Sequence, residues 1–197
     1  VYKRQKFWFV NQNPIFQALL AGVFTWLVTA IGSGLVFFFH SSNRKLLDIS
    51  LGFTGGVMIA ASFWSLLSPS IEYVEMQKEM GLTKMPSWLA PTIGFFFGAL
   101  FLFALDKIIP HLHMFDKKNH AEGFNTKWQK TILLVLAIAM HNIPEGLAVG
   151  VAFGAIVSPE ILNNLNGDIF TLGSAVALAI GIGIQNFPEG FAVSMPL

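Results

Sequence analysis

Two nine-residue segments hold most of the groups that could do chemistry. The first reads His141-Asn142-Ile143-Pro144-Glu145-Gly146-Leu147-Ala148-Val149 and the second Gln185-Asn186-Phe187-Pro188-Glu189-Gly190-Phe191-Ala192-Val193. They agree at six of nine positions and lie 44 residues apart, which chance explains poorly. Both sit inside long apolar runs. A charged side chain at the centre of a membrane helix costs about 2.5–3.5 kcal/mol on insertion scales. Two Glu with His, Asn and Gln must therefore meet a water-filled cavity, each other or a cation.

The spacing places them together. His141 and Glu145 are four residues apart, as are Gln185 and Glu189, so each pair shares a helix face. Asn142 and Asn186 stand three residues before their Glu and flank the same face. Two antiparallel helices would thus present an imidazole, two carboxylates and three amides to one point. Imidazole with carboxylate suits zinc and its first-row neighbours. Pro144 and Pro188 lack an N–H and free the carbonyls of Met140 and Ile184. Bare carbonyls inside a membrane are tolerated where protein, water or an ion satisfies them.

The elements that must hold these groups follow from composition. The chain has 197 residues, 54% hydrophobic and only 12% charged, with 20 Phe and 18 Gly. Soluble domains carry about a quarter charged residues. The balance predicts an all-α polytopic integral membrane protein with five transmembrane helices, at about 14–39, 46–71, 88–109, 131–157 and 169–193. They form one transmembrane domain, 14–197, after a polar and basic segment, 1–13. A His-containing loop spans 110–130. A soluble α/β enzyme and a disulfide-stapled domain are excluded. A net charge of +1 without a long basic run excludes nucleic acid as a partner. The absence of Cys excludes thiolate metal sites and iron–sulfur chemistry, and no prosthetic group is expected.

Alternate loops hold seven Lys and Arg on one side and five on the other, a weak bias placing the His loop in the cytoplasm. A start at Val1 and an end straight after an apolar run read as a fragment of a longer chain. Gly52, Gly56 and Ala60 share one helix face, as do Ala30 and Gly34, a spacing that allows close helix approach or simply ordinary packing. Met58 is a soft thioether among Gly55, Gly56, Ser62 and Ser65, open to reading as a third ligand or as core filler. His111, His113 and His120 could hold a metal loosely in the loop, or be solvated. Glu72 belongs with Glu75 and Glu79 to an acidic strip, an ion entrance or a wetted helix face.

The paired segments HNIPEGLAVG and QNFPEGFAV resemble the signature of the ZIP family (Zrt/Irt-like divalent metal transporters), in its prokaryotic GufA-like branch. GFTGGVMIAASFWSLLSPSIE resembles the second helix of that branch, and Pro110-His111-Leu112-His113 the start of its His-bearing loop. The resemblance extends from about residue 46 to 197. It implies an eight-helix or larger bundle and transport of zinc toward the cytoplasm, with cadmium, iron and manganese as further cargo. It implies a binuclear site, with Met58, His141, Glu145, Gln185 and Glu189 on one metal and Asn142, Glu145, Asn186 and Glu189 on the other. It implies an elevator-like mechanism, a homodimer and a place in the cell (inner) membrane of a prokaryote. Glu72 would stand near the extracellular entrance. The sixth family helix, with another carboxylate, lies beyond this chain, and some members have a carboxylate where Asn186 stands here.

The competing class is an intramembrane zinc-dependent hydrolase with Glu145 or Glu189 as base. Zinc hydrolases keep three protein ligands and an open position. This chain has no HExxH and one intramembrane His in a near-symmetric doubling, which suits an ion pathway better. A structural scaffold would leave the paired Glu unexplained.

Overall fold

The computed structural model describes residues 8–38, 44–110, 128–156 and 169–194, and in them every regular element is helical. Asn13 opens the first helix, its side chain accepting from the Ile15 N–H at 2.9 Å while Pro14 fills the first helical position. Helix α1, Pro14–Gly34, continues as a tighter turn, Leu35–Phe37. Before it, the turn Trp8–Asn11 folds back: buried Gln17 donates to the Phe9 carbonyl at 2.8 Å, and the Phe9 ring meets Phe153 edge-on.

Helix α2, Arg44–Ser62, runs through a wide π turn, Phe63–Leu67, into α3, Ser68–Glu79. Pro69 sits in the first turn of α3. Its ring would press on the carbonyl four residues back, at Ser65, and the π turn is where the ladder opens to admit it. The helical run thus reaches Glu79 and carries the acidic strip on its last turns. Helix α4 is Leu89–Ile108, α5 is Lys130–Ala155 and α6 is Leu172–Ser194.

Four segments among the described residues are long and apolar enough to cross a membrane: Pro14–Phe37, Asp48–Glu79, Leu89–Ile108 and Leu172–Ser194. Helix α5, with 26 residues, is roughly 39 Å long and has the length to cross as well. This is an all-α polytopic membrane architecture.

Helix α6 is the axis of the bundle, packing most extensively on α1, then on α2 and α5. Ala21 of α1, Val149 and Phe153 of α5, and Ala175, Leu178, Ala179 and Ile182 of α6 form the main core. The α1–α6 crossing is close because two glycines face the partner backbone. A Cβ on Gly32 would overlap the Phe187 carbonyl, and one on Gly190 would overlap the Thr29 carbonyl. Ser33 fastens the same crossing, donating to the Gly190 carbonyl at 3.1 Å. No heavy atom of a neighbour lies within 4 Å of the Cβ positions of Gly52 and Gly56. Helix α4 buries no side chain and points Phe95, Phe96, Phe97, Phe101 and Phe103 outward, as suits a helix whose surroundings are lipid tails.

Candidate metal centre

The proline-containing middles of α5 and α6 meet at the centre of the bundle. Three consequences of the local sequence bring the polar groups there. Apolar residues fill both helices, so only the faces turned to each other can shelter a carboxylate or an amide. Pro144 and Pro188 lie within the helices, each interrupting the ladder beside its Glu. Gly190 lets α1 approach α6 close enough to cover the site from its far side.

Gln185 is 1% exposed, Asn186 2% and Glu145 8%. Gln185 Nε2 donates to Glu145 Oε1 at 2.5 Å. The surroundings of the Asn186 amide favour the orientation with its nitrogen toward Glu145. With its nitrogen inward, Nδ2 donates to Glu145 Oε2 at 3.1 Å and to the Ile182 carbonyl at 3.0 Å, and Oδ1 accepts from Thr29 Oγ1 at 3.2 Å. From α2, Thr54 Oγ1 donates to the Gln185 carbonyl at 3.3 Å. Thr54 is one turn before Met58, so this bond holds the Met58 stretch of α2 against α6.

Gln185 Oε1 is buried with no hydrogen-bond partner. Leaving such an acceptor unpaired costs about 1–3 kcal/mol. An amide oxygen, a carboxylate and a thioether that share a space are a mixed ligand set for a divalent cation. They do share one. A cavity of about 420 Å³ between α2, α4, α5 and α6 is lined by Met58, Glu145 and Gln185, with Pro144, Ser62 and Gly98 among its walls. Met58 is 39% exposed.

The remaining sequence-derived candidates fall as follows. Asn142 and Glu189 are half-buried and His141 is exposed on α5; none of the three lines the cavity. Glu189 lies within electrostatic reach of both Glu145 and His141. Among the described residues no three His, Asp or Glu side chains form a cluster. Glu72 is exposed on α3, accepts from Ser68 Oγ at 2.9 Å and does not line the cavity. His111, His113 and His120 lie outside the described residues. Motif and spacing do not single out Thr29 or Thr54. A Thr within an apolar helix commonly bonds its own helix carbonyls, and only the position of Thr54 four residues before Met58 offers a signal.

These features define a class: a polytopic membrane protein with a carboxylate and paired amides buried inside its helix bundle. No family model matches the chain. Curated relatives do. The zinc transporter ZIP11 of Bos taurus is 36% identical over 218 residues, covering 74% of this chain and 63% of that protein. The zinc transporter ZupT of Chlorobium luteolum is 34% identical over 158 residues, covering 76% and 55%. The zinc transporter GufA of Myxococcus xanthus is 34% identical over 163 residues, covering 83% and 58%. By this similarity the chain belongs to the ZIP family. It spans between about half and two-thirds of the length of these relatives, which are named as transporters and not as enzymes.

Proposed function

We propose that this chain forms part of a carrier of divalent metal ions, zinc first, across a membrane and toward the cytoplasm. The observation that carries the reading is the buried, unpartnered Gln185 Oε1 on a side chain that donates to Glu145, with Met58, Glu145 and Gln185 all lining one cavity. A polar group left unpaired among membrane-spanning helices is expensive, and a cation that passes through would satisfy it transiently. The names of the relatives support zinc as cargo. Cadmium, iron and manganese share the same ligand preferences closely enough to compete.

In this reading Met58, Glu145 and Gln185 hold the ion first, with His141 and Glu189 completing its shell. Asn142 and Asn186 serve a second ion that Glu145 and Glu189 bridge, each carboxylate having two oxygens to share. The ion is released when the bundle of α1, α5 and α6 shifts against its neighbours in an elevator-like movement. The protein works as a homodimer in the cell (inner) membrane of a prokaryote, and His111, His113, His120 and Glu72 attract ions at the two ends of the path.

The test is uptake of zinc-65 by proteoliposomes holding the full-length protein, with unlabelled cadmium, iron(II), manganese and magnesium as competitors. Zinc uptake that cadmium suppresses and magnesium leaves unchanged is the expected result, since a thioether–amide–carboxylate set discriminates against hard magnesium. Uptake blocked equally by magnesium would contradict the assigned ligands.

A further inference from the structure

Helices α2 and α6 pack on each other extensively, and two contacts fix how they do so. Thr54, 7% exposed, donates from Oγ1 to the Gln185 carbonyl at 3.3 Å. A threonine in an apolar helix commonly returns that bond to its own turn; here it crosses to the neighbour. Two turns further along α2, the Ala61 Cβ lies 3.6 Å from where a Cβ on Gly181 would stand, an ordinary van der Waals distance. Residue 54 thus meets 185 and residue 61 meets 181, so the two helices run antiparallel here. Residues 54, 58 and 61 share one helix face. Met58 therefore lies between the two contacts, beside the turn of α6 that runs from Gly181 to Gln185.

The contacts do different things. The one between Ala61 and Gly181 is apolar and sets how near the helices come. The Thr54 bond is directional and sets the rotation and register of α2 about that contact. Met58 lines the cavity together with Glu145 and Gln185. A small rotation of α2 would carry the Met58 side chain away from the other two, which stay with α5 and α6.

We propose that Thr54 is a positioning residue that determines metal specificity: by tying α2 to the Gln185 carbonyl it keeps the Met58 thioether in the shell of the bound cation, and so favours softer cations over harder ones. The proposal rests on the reading that this cavity takes a divalent cation through Met58, Glu145 and Gln185. A thioether is a soft ligand, whereas a carboxylate and an amide oxygen are hard ones. Cadmium is softer than zinc, and manganese is harder. Displacing the thioether therefore penalises cadmium most and manganese least. Thr54 touches no ion itself and acts only through Met58.

The experiment measures binding of cadmium, zinc and manganese to the full-length protein in detergent micelles, each by competition against a chelating dye. Thr54→Val weakens cadmium binding about tenfold, zinc about threefold and manganese by less than about twofold, the worth of one buried hydrogen bond setting the upper limit. Thr54→Ser keeps the donor and holds all three within about twofold of wild type. In a Met58→Ala background, Thr54→Val changes none of them by more than about twofold, because the group it positions is gone. Thr54→Ala follows the pattern of Thr54→Val and takes its place if that variant does not fold. An equal loss for all three metals, the same loss in the Met58→Ala background, or wild-type affinities in Thr54→Val would each overturn the proposal, as would binding by Thr54→Ser as weak as by Thr54→Val. Absence of any Glu145-dependent binding of cadmium or zinc in folded wild-type protein would overturn the underlying metal-site reading instead.

Discussion

Among the candidate ligands, Glu145 is the buried carboxylate, with both of its oxygens within reach of the α6 amides. Glu145→Gln keeps the shape and removes the charge. Loss of residues that merely orient a metal ligand costs 10- to 100-fold in affinity, so loss of the carboxylate itself should cost about a hundredfold or more in zinc binding by dye competition. Glu72→Gln should change it by less than about twofold, since Glu72 is exposed and faces no part of the cavity. Binding should also weaken as pH falls, because imidazole and carboxylate must shed their protons to ligate. Affinity that stays flat with pH would remove His141 and both Glu from the ligand set. The paired Pro-Glu-Gly motifs made Glu145, Gln185 and Asn186 legible from sequence, since a carboxylate repeated in apolar runs costs too much to serve packing alone. Thr29 and Thr54 were not legible. The Thr54 bond crosses to α6, whereas Thr29 Oγ1 donates to the Thr25 carbonyl of its own helix at 3.1 Å, and residue type alone does not tell the two kinds of hydroxyl apart.

The helices were legible because apolar runs of spanning length leave little choice of element. Where they touch was not. The spacing of Gly52, Gly56 and Ala60, and of Ala30 and Gly34, offered two close-approach faces, yet the tight crossing is made by Gly32 and Gly190 between α1 and α6. Small-residue spacing allows a contact without choosing the partner. The two sets can be separated directly. Gly190→Ala places a Cβ against the Thr29 carbonyl and within 3.0 Å of Ser33 Oγ, so one helix must shift. Overpacking of that kind costs about 1–3 kcal/mol, and a lower midpoint of thermal unfolding in detergent should report it. Gly52→Ala meets open space and gains helix propensity, so its midpoint should hold or rise slightly. The continuation of α2 through the π turn into α3 was hidden for a related reason. Pro69 and the charges after it read as an end, whereas a five-residue π turn, Phe63–Leu67, absorbs the proline and lets the helix proceed.

The bundle has a tight part and an open part. Helices α1, α5 and α6 share a core, with glycines pressed against backbone, while α4 buries no side chain and reaches α5 by few contacts. The cavity with Met58, Glu145 and Gln185 lies between these parts. Relative movement there would open or close a path, which supports the proposed carriage of an ion. Relatives named as zinc transporters support the same reading. The most direct measurement is the initial rate of zinc-65 entry into proteoliposomes holding the full-length protein, wild type beside a Glu145→Ala/Glu189→Ala double variant that folds and inserts equally. Saturable entry is expected in the wild type, falling to the rate of empty liposomes in the double variant. Equal entry in both would contradict the proposed function, because zinc would then be crossing by a route that does not use the buried carboxylates.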